Sequence, residues 1–201
     1  MDLKKYLKPQ YGIAIAPLVF AFSQVIILGY NWIFGGYFGN ISLTVSKYVG
    51  LDVWSSVLFA ICNFVIGFLM VRYYLYAYKG LSKLWLVLGF IQLFGFIGLS
   101  IFPHTAFLVG DIEEFVVNLH IMLARIMFFA MFGMALERLR IACNRDNRNK
   151  FAAKICLAFL VYGIIYVFGY FIKDSFLWHI MLLWETGYIY AFMGMLILTR
   201  K

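Results

Sequence analysis

Few side chains in this sequence could do chemistry inside its apolar segments, and four of them stand out. Arg125 and Glu185 are ionisable, and Asn63 and Gln92 carry amides. An ionisable side chain within a bilayer is costly unless it is paired or hydrated. Because Arg125 and Glu185 carry opposite charges, we expect them to form a salt bridge between two helices.

Distances along the chain suggest that these side chains share one depth. Arg125, Glu185 and Asn63 each lie eleven residues after an acidic residue at the start of an apolar segment, and Gln92 lies twelve residues before His104. At the helical rise, eleven residues span about 16 Å, close to the middle of a hydrocarbon core. We therefore expect one polar layer, formed by Asn63, Gln92, Arg125 and Glu185.

The fourth apolar segment has polar residues on two of its helical faces. Glu114, Asn118 and Arg125 share one face, and Glu113 and His120 share another. We therefore expect this helix to be packed on two sides. Its first face favours an outward-facing pocket in which Arg125 holds the phosphate or carboxylate of a lipid or solute. The predicted binding residues are Arg125, Glu185, Asn63, Asn118 and Gln92.

The histidines offer acid and base groups near the external side. His120 as a base and His104 as an acid are the candidate catalytic residues of a lipid-modifying enzyme. His179 lies in a different element, and no two histidines are spaced three or four residues apart, as metal ligands on one helix would be. We therefore predict no metal site and no cofactor, and whether the protein is an enzyme stays open.

Six apolar stretches must hold these residues in place. The chain is 65% hydrophobic, 20% aromatic and 13% charged, which excludes a soluble domain. The alternation of strands is absent, and helices satisfy their own backbone within lipid. We predict an all-α polytopic membrane protein, one domain over residues 1–201, folded as a compact bundle of six transmembrane helices. The expected spans are about 12–34, 53–76, 84–102, 115–136, 152–172 and 177–198.

The basic residues predict the orientation of this bundle. Fourteen Lys and Arg residues fall at the termini or in the second and fourth connections, and only Lys47 and Lys173 fall in the other connections. This bias places both termini in the cytoplasm. It also accounts for the net charge of +8 without a nucleic-acid partner. The expected partners are membrane lipids and a small amphiphilic ligand.

Two further patterns concern the packing of the bundle. Ile41, Val45 and Tyr48 recur at helical spacing in the first connection, which predicts a short helix on the surface of the outer leaflet. Small residues in the third and sixth segments favour close approach of neighbouring helices. These residues are Gly95, Gly98, Gly187 and Gly194.

Several short motifs support a family resemblance. They are the run at 41–50, the run at 54–60 followed by Asn63, the pair Phe102-Pro103, and His120. With these motifs the chain resembles the prokaryotic six-span membrane proteins of domain of unknown function 998, which are similar in layout to the eukaryotic DRAM and Frag type proteins. The resemblance implies a six-helix bundle in a prokaryotic plasma membrane, with an external Phe-Pro turn followed by a membrane histidine. It implies no established reaction.

Three classes of function remain compatible with these residues. The first is binding or handling of a lipid or amphiphile in the outward-facing pocket. The second is a small transporter or solute-binding membrane component, although the two halves of the chain show no inverted repeat. The third is an accessory protein in which the pair of Arg125 and Glu185 is purely architectural. The oligomeric state stays open.

Overall fold

The protein is an all-α bundle in a computed structural model that describes residues 8–36, 43–102, 110–144, 149–172 and 179–199. No strand occurs in these ranges, and six of the helices are long and apolar enough to cross a membrane. The predicted fold class is therefore confirmed. The helices are α1 (Pro9–Ile33, with a 3-10 stretch at Ile13–Ile15), α2 (Val45–Val49), α3 (Val53–Ala77), α4 (Lys83–Ile101), α5 (Asp111–Asn144), α6 (Lys150–Phe171) and α7 (Met181–Leu198).

The six long helices form a ring in chain order. Each packs against the next, and α7 returns to α1. Consecutive helices run antiparallel because the connections between them are short. We call the end of the bundle that holds Pro9 and Leu198 the terminal face, and the end that holds Val53 and Asp111 the loop face.

Methionine and aromatic side chains fill the interior of this ring. Met70, Met131 and Met134 are fully buried, and methionine adapts well to irregular gaps. The ring is flattened, because helices that are not consecutive also meet. Phe128 of α5 lies 5.3 Å from Tyr188 of α7, measured between ring centroids.

Most helix boundaries agree with the sequence expectation, and α5 is the main exception. Five of the six long helices begin and end within four residues of the expected limits. α5 begins with acidic residues, which the positive end of a helix dipole stabilises. It continues to Asn144, past the expected limit at 136, because polar residues can extend a helix beyond the hydrocarbon core. Hydropathy detects only the apolar part of such a helix.

The short helix expected in the first connection is present as α2, but it does not lie on the outer surface as predicted. Thr44 caps its N-terminus by accepting a hydrogen bond from the backbone N–H of Lys47. Val45, Tyr48 and Val49 are buried against α1, α3 and α7. Their apolar area gains more from the bundle than from the leaflet surface, so α2 covers part of the loop face. Ile41 lies outside the described residues.

α4 ends well before its neighbours on the loop face. Near its end, Ser100 accepts a 2.8 Å hydrogen bond from Nδ2 of Asn63, which lies ten residues into α3. On the other side, Nδ1 of His120 lies 2.7 Å from the carbonyl oxygen of Phe102, nine residues into α5. Both neighbours therefore extend about 14 to 15 Å beyond the end of α4.

Two of the four glycines predicted to allow close packing do so between α4 and α5. A Cβ atom built on Gly95 would lie 2.8 Å from the carbonyl oxygen of Leu123 and 2.9 Å from the backbone nitrogen of Met127. One on Gly98 would lie 2.8 Å from the Leu123 side chain. α6 and α7 meet in the same way at Gly187, where the Tyr162 hydroxyl occupies the space. Gly194 is not needed for packing, since no atom lies within 4 Å of such a Cβ.

We expect Gly95→Ala to destabilise the bundle, because backbone atoms of α5 cannot move away from the new methyl group. Overpacking of this kind costs about 1 to 3 kcal/mol. Gly194→Ala is the matched control. It adds the same methyl group in open space and should be neutral or stabilising, since alanine favours helix. Thermal unfolding of both variants in detergent checks this. Equal melting temperatures for the two variants would contradict the close approach at Gly95.

Candidate functional site

The two amides of the expected polar layer lie in the core, but at different depths. Asn63 is bonded to Ser100, one residue before α4 ends. Gln92, eight residues earlier on α4, accepts a 2.8 Å hydrogen bond from the Tyr74 hydroxyl. Eight residues correspond to about 12 Å along a helix. The amides therefore belong to two separate pairs between α3 and α4, and the prediction of one level layer is wrong for them.

Glu185 lies about one helical turn into α7 and not at mid-depth. α7 begins at Met181, so Glu185 is only four residues from its start. Its Oε2 accepts a 2.7 Å hydrogen bond from the backbone N–H of Val45, the first residue of α2. A carboxylate at a helix N-terminus meets both unpaired N–H groups and the positive end of the dipole. Glu185 thus holds α2 against α7.

Arg125 lies on the exposed side of α5. Asn118 and Glu114, which were predicted to share its face, are exposed as well. This side of α5 is therefore not packed, and the expectation that the helix is packed on two sides fails at Arg125. In the part of the chain that the structure describes, Arg125 makes no hydrogen bond or ion pair.

The predicted salt bridge between Arg125 and Glu185 is not formed. α5 packs against α4 and α6, whereas α7 packs against α6 and α1, so the two side chains belong to helices that are not neighbours in the ring. Their depths are similar, because Phe128 and Tyr188, each three residues further along, are in contact, but Arg125 lies on the exposed side of α5. Counting along the chain compares depths, but it does not show which helices are neighbours. Among the described residues, the ion pair that does form joins Arg140 and Glu137.

The two candidate catalytic histidines have different outcomes. His120 is buried, and its Nδ1 bonds the Phe102 carbonyl oxygen at the end of α4. This contact satisfies one of the carbonyl groups that every helix leaves unpaired at its C-terminus. His104 lies outside the described residues. Within those residues, no group of three His, Cys, Asp or Glu side chains could hold a metal ion.

A hydrogen-bond network on the loop face escaped the sequence reasoning. Asp52 caps α3, with 2.8 Å to the Ser55 backbone nitrogen and 2.6 Å to its hydroxyl. Asn31 of α1 donates to the same hydroxyl. Trp32 of α1 donates to the Tyr48 hydroxyl of α2. These bonds connect α1, α2 and α3. The sequence did not predict them, because Ser and Trp near the ends of spans form no distinctive pattern.

A second network that sequence reasoning missed lies on the terminal face. Glu137 accepts hydrogen bonds from the Ser82 hydroxyl at 2.6 Å and from Arg140 Nε at 2.7 Å. The neighbouring Arg138 is buried and donates from Nη2 to the carbonyl oxygen of Thr199. The expected end of the fourth span at 136 places both arginines in a connection, where they would only mark the orientation. The signal that would have found them is the continuation of α5.

The predicted binding residues are thus distributed over separate contacts. Asn63 and Gln92 belong to the buried interface of α3 and α4, Glu185 to the contact with α2, and Arg125 and Asn118 to the exposed side of α5. Their binding roles stay predictions. Among the predicted binding residues, those on the exposed side of α5 are the ones placed to meet an external ligand directly.

We expect Glu185→Ala to lower the melting temperature by several degrees, because α2 loses its bond to α7. A hydrogen bond to a charged group contributes about 1.5 to 3 kcal/mol. Glu185→Gln keeps an acceptor for the Val45 N–H, so its melting temperature should fall by less than half as much as that of Glu185→Ala. In a double-mutant cycle with Arg125→Ala, the two effects should add within about 0.5 kcal/mol. A larger coupling energy would show that Arg125 and Glu185 interact, which would contradict the absence of a salt bridge in the structure.

Comparison of the chain with protein-family models, with curated proteins and with solved structures found no match.

Proposed function

We propose that this integral membrane protein binds a phosphate-bearing lipid or similar amphiphile along the exposed side of α5. The observation that carries the proposal is Arg125, a charged side chain that is exposed at membrane depth and makes no hydrogen bond or ion pair to the described residues. Such a group needs an anionic or hydrated partner, and lipid phosphate is the anion at hand.

The depth of Arg125 follows from its neighbours on α4. Gly95 contacts Met127 and Gly98 contacts Leu123, so Arg125 lies level with a point about five residues before the end of α4. α4 has 19 residues and spans about 28 Å, which matches a hydrocarbon core of about 30 Å. Arg125 therefore lies about 7 to 8 Å below the boundary of the core on the loop face.

The direction of the helix favours contact with lipid head groups on that face. Side chains of an α-helix lean towards its N-terminus, and α5 begins at the loop face with Asp111. A long arginine side chain at this depth can extend to the head-group region while its methylene groups stay in the apolar layer. A planar guanidinium can then hold a phosphate with two parallel hydrogen bonds.

The remaining residues of this side suit an amphiphile. Asn118 and Glu114 lie nearer the start of α5, where a polar head group would be. Met122 and Phe129 are 48% and 74% exposed on the same side, next to Arg125. The polar side chains near Arg125 match the head group of an amphiphile, and the apolar side chains beside it match the acyl chains. The resemblance to the prokaryotic six-span proteins is compatible with this proposal and assigns no competing reaction.

We expect native mass spectrometry of the gently extracted protein to detect a retained phosphate-bearing lipid. Arg125→Ala should reduce its retention roughly tenfold, the effect of losing one charge-assisted contact. Met122→Ala is the matched control, because it shortens an exposed side chain on the same side of α5 without removing charge. It should retain the lipid, and Arg125→Lys should retain an intermediate amount.

Equal retention by the wild type and Arg125→Ala would overturn the proposal. So would a second protein that leaves the complex only in Arg125→Ala, since a carboxylate of a partner helix would then satisfy the arginine. That result would support the accessory-protein hypothesis instead.

We also propose that the terminal face is cytoplasmic, in a prokaryotic plasma membrane. The support for this orientation is the basic composition of the connections on that face. Cys143 near the end of α5 is exposed, whereas Cys62 and Cys156 are buried. The chain therefore contains one accessible thiol on the terminal face.

We expect a membrane-impermeant maleimide to label Cys143 only after the cells are made permeable. Lys47→Cys, in a Cys143→Ser background, provides the control, because Lys47 is exposed on α2 at the opposite end. This variant should react in intact cells. Labelling of Cys143 in intact cells would reverse the proposed orientation.

A further inference from the structure

We propose that the terminal face carries a second binding site, a cavity that takes a phosphate group. The cavity has a volume of about 260 Å³ and lies where the end of α3 and the turn Tyr78–Gly80 approach α5 and α7. Its lining includes Tyr76, Lys79, Arg138 and Thr199. None of the binding residues predicted from the sequence lies there.

Arg138 is the principal cation of the cavity. Its side chain is 4% exposed, although it lines the cavity wall. The Thr199 carbonyl oxygen that it contacts belongs to the C-terminal end of α7, where helix carbonyl groups carry partial negative charge. This contact helps to fix the position of the guanidinium. A fixed cation of this kind is the arrangement that binds anions well.

Two neighbours add donors of hydrogen bonds around Arg138. Lys79 is exposed, and Tyr76 is 41% exposed. Neither Asp nor Glu occurs among the described residues that line the cavity. The carboxylate next along the chain, Glu137, is already bonded to Arg140 and Ser82. The charged side chains of the described lining are therefore both cations.

The size of the cavity limits the ligand. Pockets for drug-sized molecules have volumes of about 300 to 1,000 Å³, so a volume of about 260 Å³ suits a smaller group. Lysine and arginine together recognise phosphate, the lysine as a point charge and the arginine by its planar donors. The ligand class is a phosphate monoester or the phosphate of a lipid head group. Both sources present the same chemistry to these side chains.

The test is calorimetric titration of the full-length protein in neutral detergent, with Arg125→Ala as the background so that lipid at the loop face does not contribute. Dioctanoyl phosphatidic acid should bind, and dioctanoylglycerol, which lacks the phosphate, should not. Lys79→Ala should weaken binding roughly tenfold. Lys150→Ala removes the same charge from an exposed position on the same face, outside the cavity lining, and should change affinity less than about twofold.

Competition by inorganic phosphate separates the two sources of the ligand. Displacement of the lipid by inorganic phosphate would support a site for soluble phosphate compounds, and binding of the lipid alone would support a head-group site. Equal losses in Lys79→Ala and Lys150→Ala would overturn the proposal, because general attraction to a basic surface would then explain the binding. Equal binding of dioctanoylglycerol would overturn it too. Arg138→Lys tests whether phosphate binding needs the planar donors of arginine. If Arg138→Lys does not fold, Lys79→Ala decides the outcome.

Discussion

The close contact between α4 and α5 sets the positions on which the rest of the molecule depends. Gly95 and Gly98 let the backbone of α5 lie against α4, and this contact sets the vertical register of the two helices. In that register His120 lies beside the end of α4, and Glu137 lies beside Ser82 at its beginning. A change of one turn would separate both pairs and leave buried polar groups without partners.

The same register gives the two arginines of α5 opposite environments. Arg125 lies on the exposed side of the helix, within the depth of the core that α4 spans. Arg138, thirteen residues later, is buried between α5 and the end of α7. The first cation makes no hydrogen bond or ion pair with the described residues, and the second is held by the protein itself. The proposed lipid contact and the proposed phosphate cavity follow from this difference.

The sequence was sufficient for the membrane class and for the six spans, because length and apolar composition alone determine whether a helix can cross a bilayer. It was also sufficient for the shared side of Glu114, Asn118 and Arg125, since helical periodicity fixes angles within one helix. It was sufficient for the common level of Arg125 and Glu185 but insufficient for their absolute depth, because that required the true start of each helix. Glu185 shows the error clearly, as it lies four residues from the start of α7. Contacts between helices, such as Arg138 with Thr199, depend on how the helices are arranged in the ring. The periodicity within one helix carries no information about that arrangement.

The unequal lengths of the helices have a consequence for the surrounding membrane. α4 and α7 have 19 and 18 residues and span about 27 to 28 Å, whereas α5 has 34 residues and spans about 51 Å. In the proposed placement of the bilayer, the shortest helices set the hydrophobic thickness of the protein. A bilayer with longer acyl chains would move its head groups outward, further from Arg125, and mismatch of this kind costs a fraction of a kcal/mol for each ångström. The acyl-chain length of the host membrane would thus govern how easily this arginine makes the proposed contact with phosphate.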